Sequence, residues 1–241
     1  MSYIIAVVTK PKWKRESNLN RSFERLSSLK IRTRVGDDTL LCDYLIARFN
    51  EPEYVFTPKE RALYFKALLR VNGLWPVKCA EIGVWTGENL STMARVFGDT
   101  AELYGVDPYV VFYHYTNKRK KHRAFQPKWN QYRWEKFYEK VKDGLEEIPN
   151  VRLLRTESEQ GVWFVPDNLN FVYIDAGHDY HNVINDITLW EEKATCGAVI
   201  AGHDYNGKKY GQVTMAVNDY AKIHRRVIHN PSYGIWWWYK E

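Results

Sequence analysis

Three features that would settle a chain's class at a glance are scarce or missing in this 241-residue sequence. Its three cysteines, Cys42, Cys79 and Cys196, are odd in number and far apart, with no C-x-x-C pair. That excludes a disulfide framework and a cysteine-built zinc knuckle, and it fits buried thiols in a reducing compartment. No apolar run approaches the roughly 20 residues of a membrane helix. The short apolar stretch at residues 3–8 is followed, not preceded, by Lys10, Lys12, Lys14 and Arg15, the reverse of a secretory leader. The expectation is a cytoplasmic protein with no membrane partner. Glycine is present, but neither G-x-G-x-x-G nor the Gly-Lys-Ser/Thr ending of a phosphate-binding loop occurs, so the two commonest nucleotide fingerprints are excluded.

What is present argues for a folded globule. Apolar residues make up 45% of the chain and aromatics 15%, with ten tryptophans, which is enough for one substantial core and an appended region. The formal charge of +6 permits an anionic partner without demanding one.

The chain is organised around a tetrapeptide that occurs twice, Gly177-His178-Asp179-Tyr180 and Gly202-His203-Asp204-Tyr205. Each copy follows a strand-like run, residues 171–174 closed by Asp175, and residues 198–201. Between them Val183, Ile187 and Trp190 recur at helical spacing. A strand, a helix and a parallel strand would bring Asp175, His178, His203 and Asp204 to the carboxyl edge of one sheet, where open α/β sheets bind ligands.

Upstream, residues 77–82 read as a buried strand leading into Gly83-Val84-Trp85-Thr86-Gly87 and a helix with Leu90, Met93, Ala94 and Phe97 on its apolar face. The turn is preceded by an acid, Glu81, suited to a cationic ligand. A second strand, residues 103–106, ends at Asp107, where a carboxylate commonly takes the hydroxyls of a ribose. A ligand with a ribose and a positive charge satisfies both. Before this domain, Leu19, Phe23 and Leu26, and then Leu41, Leu45, Ile46 and Phe49, predict two helices. Thr57-Pro58-Lys59-Glu60 predicts the capped start of a third, running to about Val71. The expected division is a helical cap over residues 1–72 and a main domain over 73–241.

These residues resemble a known family. Residues 80–87, Gly105-Val106-Asp107, the stretch from Tyr173 to Tyr180 and the stretch from Ala201 to Tyr205 are similar, in order and spacing, to class I S-adenosylmethionine-dependent methyltransferases. The nearest group comprises small-molecule O-methyltransferases and cephalosporin-hydroxylase-like proteins. The resemblance implies a Rossmann-like, doubly wound α/β fold with a seven-stranded sheet whose last strand is antiparallel. The tail is read to match: a helix with Val213, Ala216, Val217 and Tyr220, then a hairpin of residues 227–228 with 235–239, in which Trp236, Trp237 and Trp238 belong to the core.

The resemblance also assigns roles. Glu81, Gly83 and Gly87 would shape the site for the methionine part of S-adenosylmethionine and Thr86 would bond its carboxylate. Asp107 would hold the ribose, and Glu157 with Ser158, after the strand at 151–154, would meet the adenine. Some relatives place a divalent metal on an Asp after the fourth strand and two polar residues after the fifth, here Asp175, His203 and Asp204. A metal orients an acceptor oxygen and lowers its pKa. Because His203 stands where a carboxylate is usual, manganese, iron or zinc would be favoured over magnesium. His178, three residues beyond Asp175, has the spacing of the relatives' general base.

Between Asp107 and residue 151 lies more chain than a crossover needs. It includes a basic run over residues 118–123, flanked by Tyr109, Phe112, Tyr113 and Tyr115, and then a helix with Trp134, Phe137, Tyr138, Val141 and Leu145 at helical spacing. Basic charge beside aromatics can bind an anionic sugar or a nucleic-acid strand; it is also the composition of a solvated loop. The reading is therefore methyl transfer to a hydroxyl of a small molecule such as a sugar or natural product. The alternatives are a nucleic-acid methyltransferase, a cofactor-binding protein without catalysis, and a metal-dependent hydrolase or hydroxylase-like protein on the same sheet.

Overall fold

A computed structural model describes residues 55–111, 113–116, 121–124, 130–207 and 210–241, with the backbone alone for 113–116 and 121–124. All of them fall in the compact unit Asp38–Glu241. The expected strand at 3–8, the two helices around Leu19 and Leu41, Cys42, and Lys118, Arg119 and Lys120 of the basic run lie outside the described residues.

The first described helix, α1 (Pro58–Val71), starts where the sequence places it. Thr57 accepts from the Glu60 amide, and the Glu60 side chain reaches back to the Thr57 backbone, a reciprocal cap behind Pro58. The chain then runs through β1 (Lys78–Ile82), α2 (Glu88–Phe97), β2 (Glu102–Val106), a hairpin of β3 (Tyr113–Thr116) and β4 (Lys121–Ala124), and α3 (Gln131–Glu146). It continues with β5 (Val151–Leu154), α4 (Ser158–Gly161), β6 (Leu169–Ile174), α5 (Tyr180–Lys193), β7 (Ala194–Tyr205), α6 (Gly211–Ile223) and β8 (Gly234–Tyr239).

The main sheet has the order β5-β2-β1-β6-β7-β8, parallel except for β8, which runs antiparallel to β7. Its strand order reverses between β1 and β6, and that switch point is where such a sheet opens a ligand crevice. Among the described residues the main sheet has six strands where seven are expected. Residues 227–228 are not a strand; a single bridge between His229 and Trp237 is all that pairs there, and the partner of β8 is β7.

Alternation along the strands divides the core into two layers. On β6, Phe171 and Tyr173 face α1 and α2, with the Phe65 ring centroid 4.8 Å from that of Phe171, while Val172 and Ile174 face α5 and α6. On β8, Trp237 joins the first layer and Trp236 and Trp238 the second, so the three tryptophans are core, as the sequence predicts. Burying such a ring is worth about 4–6 kcal/mol of gross transfer free energy. Cys79 is buried as expected, whereas Cys196 is exposed, because it lies near the start of β7, outside the well-covered centre of that strand. No helix among the described residues is long and apolar enough to cross a membrane.

Candidate active site

The two tetrapeptides prove unlike. In the first, Asp179 is the N-cap of α5, its side chain accepting from the Asn182 amide, so His178 stands on the loop that joins β6 to that helix. The second lies inside β7, which extends to Tyr205 instead of stopping at Ala201, and its register with β8 shifts between Gly202 and Tyr205. At that bulge Asp204 takes φ +58, a left-handed conformation that Asp tolerates better than most residues. Trp85, Tyr109 and Asp204 are three of the five non-glycine residues with positive φ among those described, and all three border the same sheet edge.

The bulge turns Asp204 towards the loop after β6. His178 Nε2 lies 2.7 Å from Asp204 Oδ2, and His203 Nδ1 lies 3.3 Å from Oδ1. Burial alone would raise the Asp204 carboxyl, but the hydrogen bonds from His178 and His203 outweigh it and hold the group below the ordinary carboxylate range. Asp175, at the end of β6, is raised by burial and by the Asp204 charge, against the pull of His203 and Arg61. Ligand atoms of Asp175, His178 and Asp204 lie within 4.8 Å of one another, close enough to share an ion. This group differs by one member from the sequence-predicted set of Asp175, His203 and Asp204: His203 reaches Asp204 but is outside it.

Across the switch point, Gly83 takes φ +87 and packs against the Asp175 backbone, where any side chain would collide. Gly87, at φ +73, is the N-cap of α2, and a Cβ there would stand 3.0 Å from Val141. Thr86 is exposed and its Oγ accepts weakly, at 3.4 Å, from the Glu88 amide. Glu81, 1% exposed, accepts from Asn89 Nδ2 at 2.7 Å through Oε1, while Oε2 is buried without a hydrogen-bond partner. Burial pushes its carboxyl up to about 8, with the Asn89 bond opposing and the Asp175 charge adding. An orphaned buried carboxylate oxygen of this kind fits a cation donated by a ligand.

Asp107 closes the other side. Oδ2 accepts from the Val84 and Trp85 amides, both at 3.0 Å, and Oδ1 from the Tyr109 amide at 2.8 Å. Three of about four lone-pair sites are taken, which leaves capacity for roughly one ribose hydroxyl. Glu157 is exposed beside it, its carboxyl raised by burial and by Asp107. Ser158 is engaged elsewhere, donating to Asp186 and accepting from Trp190 Nε1, so its hydroxyl holds α4 to α5.

Sequence reasoning passed over Arg61 and Asn89. Arg61 is 7% exposed; its Nε donates to Asn89 Oδ1 at 2.9 Å, and its guanidinium lies 5.3 Å from the centre of the Tyr173 ring. The signal was available, because Arg61, Phe65 and Leu68 follow the i, i+4, i+7 spacing of a buried helix face.

A twisted parallel sheet with a glycine turn after its first strand and acids at the ends of its first, second and fourth parallel strands defines a class I S-adenosylmethionine-dependent methyltransferase fold. Residues 80–205, just over half of the chain, match the family described as "Methyltransferase domain", and the chain belongs to that family. No curated protein matches the sequence. Solved structures share the fold at low identity. One, from Staphylococcus aureus and provisionally designated a caffeoyl-CoA O-methyltransferase, is 14% identical with a TM-score of 0.55, over 92% of this chain and 100% of that one. The O-methyltransferase TomG from Streptomyces achromogenes, which acts in tomaymycin synthesis and was solved with S-adenosylmethionine, is 12% identical with a TM-score of 0.51, over 92% and 96%. A methyltransferase from Geobacter sulfurreducens is 13% identical with a TM-score of 0.52, over 92% and 96%.

Proposed function

We propose that the protein transfers the methyl group of S-adenosylmethionine to a hydroxyl of a small molecule. The observation that carries this is the contact of His178 Nε2 with Asp204 Oδ2 at 2.7 Å, placed beside Asp175 on the same sheet edge as the glycine turn. A hydroxyl becomes a competent nucleophile when a base takes its proton as the methyl moves. His178 is that base, and the Asp204 carboxylate orients the ring and stabilises the imidazolium that forms. Asp107 and Asp175 stand at the site with the buried guanidinium of Arg61, and Glu81, raised to about 8, adds negative charge as it ionises, a field that then favours a sulfonium cation over its neutral product. Gly83 and Gly87 let the backbone approach the methionine part, Thr86 stands at the turn beside it, Asp107 takes the ribose, and Glu157 with the Ser158 backbone borders the adenine.

A second reading is favoured by the ion-sized grouping of Asp175, His178 and Asp204. Two oxygens and a nitrogen suit manganese, iron or zinc better than magnesium. A cation held there would orient the acceptor oxygen and lower its pKa. In that case His178 is a ligand and not the base. Methyl-labelled cofactor incubated with a panel of phenols, catechols and sugars, with and without excess chelator, separates the two: a labelled ether formed undiminished in chelator supports the His178–Asp204 pair, and strict metal dependence supports the cation. No labelled ether with any acceptor argues against hydroxyl transfer.

A further inference from the structure

The helix before the main domain contributes a charge to the site that the turn and strand-end residues do not supply. Arg61 leaves α1 on its buried face and ends among Asn89, Glu81, Tyr173 and Asp175. Besides the Nε bond to Asn89, its guanidinium interacts with the Tyr173 side chain, and these two contacts do not exhaust its five N–H donors. One residue away, Asn89 receives Arg61 Nε on its oxygen and donates from its nitrogen to Glu81 Oε1. Glu81 Oε2 is buried and unpartnered. A guanidinium and a carboxylate are thus held side by side by one amide, each with unused hydrogen-bonding capacity, both almost wholly removed from water and both next to the glycine turn.

Charged groups buried this deeply with open valences are costly unless a ligand completes them. The complement of a guanidinium and an ionisable carboxyl bridged by one amide is a zwitterion, and an α-amino acid carries its carboxylate and ammonium one carbon apart. A planar guanidinium fork is the group that grips a carboxylate bidentately.

We propose that Arg61, Asn89 and Glu81 form a clamp for the α-amino-acid end of the cofactor, with the Arg61 Nη groups pairing its carboxylate and Glu81 Oε2 accepting from its ammonium. The assignment rests on the methyltransferase reading, and it moves carboxylate recognition from Thr86, which is exposed on the turn, to a residue of the preceding helix. It also gives α1 a role beyond packing. The helix carries Arg61 into the site while Phe65 and Leu69 fix it against the sheet, so cofactor binding and the docking of α1 are coupled.

The test compares S-adenosylmethionine, which has both amino-acid charges, with its decarboxylated form, which keeps the ammonium and the sulfonium but not the carboxylate; 5′-methylthioadenosine, a neutral thioether without the amino-acid chain or the sulfonium, reports on the nucleoside pocket alone. Calorimetry with the wild-type protein should show S-adenosylmethionine binding more than tenfold tighter than the decarboxylated form. Arg61→Gln should reduce that preference to within about twofold, while 5′-methylthioadenosine binds the variant as it binds the wild type, showing that the pocket is intact. Arg61→Lys, which keeps the charge but not the fork, should restore part of the preference. An equal loss for all three ligands would make Arg61 merely structural, and an unchanged preference in Arg61→Gln would remove it from the clamp; either overturns the proposal while leaving the methyltransferase reading in place. Wild-type protein that is folded yet binds none of the three overturns both.

Discussion

The backbone of Gly83 passes so close to that of Asp175 that a Cβ on Gly83 would stand 2.2 Å from the Asp175 carbonyl oxygen. The two loops at the switch point are joined there, since the Asp175 amide also donates to Ile82 O at 2.8 Å. Whatever displaces one loop displaces the other, which ties the glycine turn to the sheet edge that carries Asp175 and His178.

Gly83→Ala should therefore lower unfolding free energy by roughly 2–4 kcal/mol, from left-handed strain plus overlap with backbone that cannot retreat. Gly197→Ala is the control, because Gly197 also has a positive φ, +81, but nothing lies within 4 Å of the added carbon. It should cost only about 1–2 kcal/mol. Urea denaturation of both variants measures the difference, and equal losses would mean that the close approach does not matter.

Glu81 should make cofactor binding pH-dependent. Its carboxyl is raised in the folded protein to about 8, so between the unfolded value near 4.5 and 8 the native state holds a proton that the unfolded chain has released. Its contribution to stability is thus present at low pH and declines as pH rises through that window. Binding of an ammonium needs the ionised form, so affinity should improve by up to about tenfold per pH unit between 6 and 7.5 and level off above 8. Glu81→Gln should flatten this slope. Calorimetry across that range checks it, and a wild-type profile that matches the Gln variant contradicts it.

Removing the base should be costly to chemistry and not to binding. His178→Ala is expected to lower kcat by about 100- to 10,000-fold with little change in cofactor affinity. Asp204→Asn keeps a residue tolerant of positive φ but loses the charge, and should lower kcat by a smaller factor. The sign of the Asp204 shift adds a stability prediction. Its lowered carboxyl stabilises the fold above the unfolded value near 3.8, and this contribution is lost as pH falls towards its folded value. Acid unfolding of Asp204→Asn should accordingly be less steep than that of the wild type.

Much of this arrangement was legible from local chemistry. The cap of α1, the glycine turn, the strands ending at Asp107 and Asp175 and the buried tryptophans all follow from patterns spanning a few residues. What escaped was set by pairing between distant segments. The repeated tetrapeptide looks like one motif used twice, yet Asp179 caps a helix while Asp204 sits on a bulge, because β8 pairs along β7 and draws the second copy into the strand. Residues 227–228 have a strand's composition but pair with no strand; the one bridge nearby is that of His229 with Trp237. Arg61 was hidden by being placed in a helix whose spacing reads as packing, and only the approach of α1 to α2 shows that its charge meets Asn89.

The central claim is that the crevice at the β1–β6 switch point binds S-adenosylmethionine, with Asp107 at its ribose. Isothermal calorimetry of the purified protein with S-adenosylmethionine and S-adenosylhomocysteine tests this most directly. Both should bind at one site per chain with a dissociation constant on the order of micromolar, and Asp107→Ala should weaken each by at least tenfold. A folded protein that gives no heat with either ligand, or that binds NAD in their place, would contradict the account.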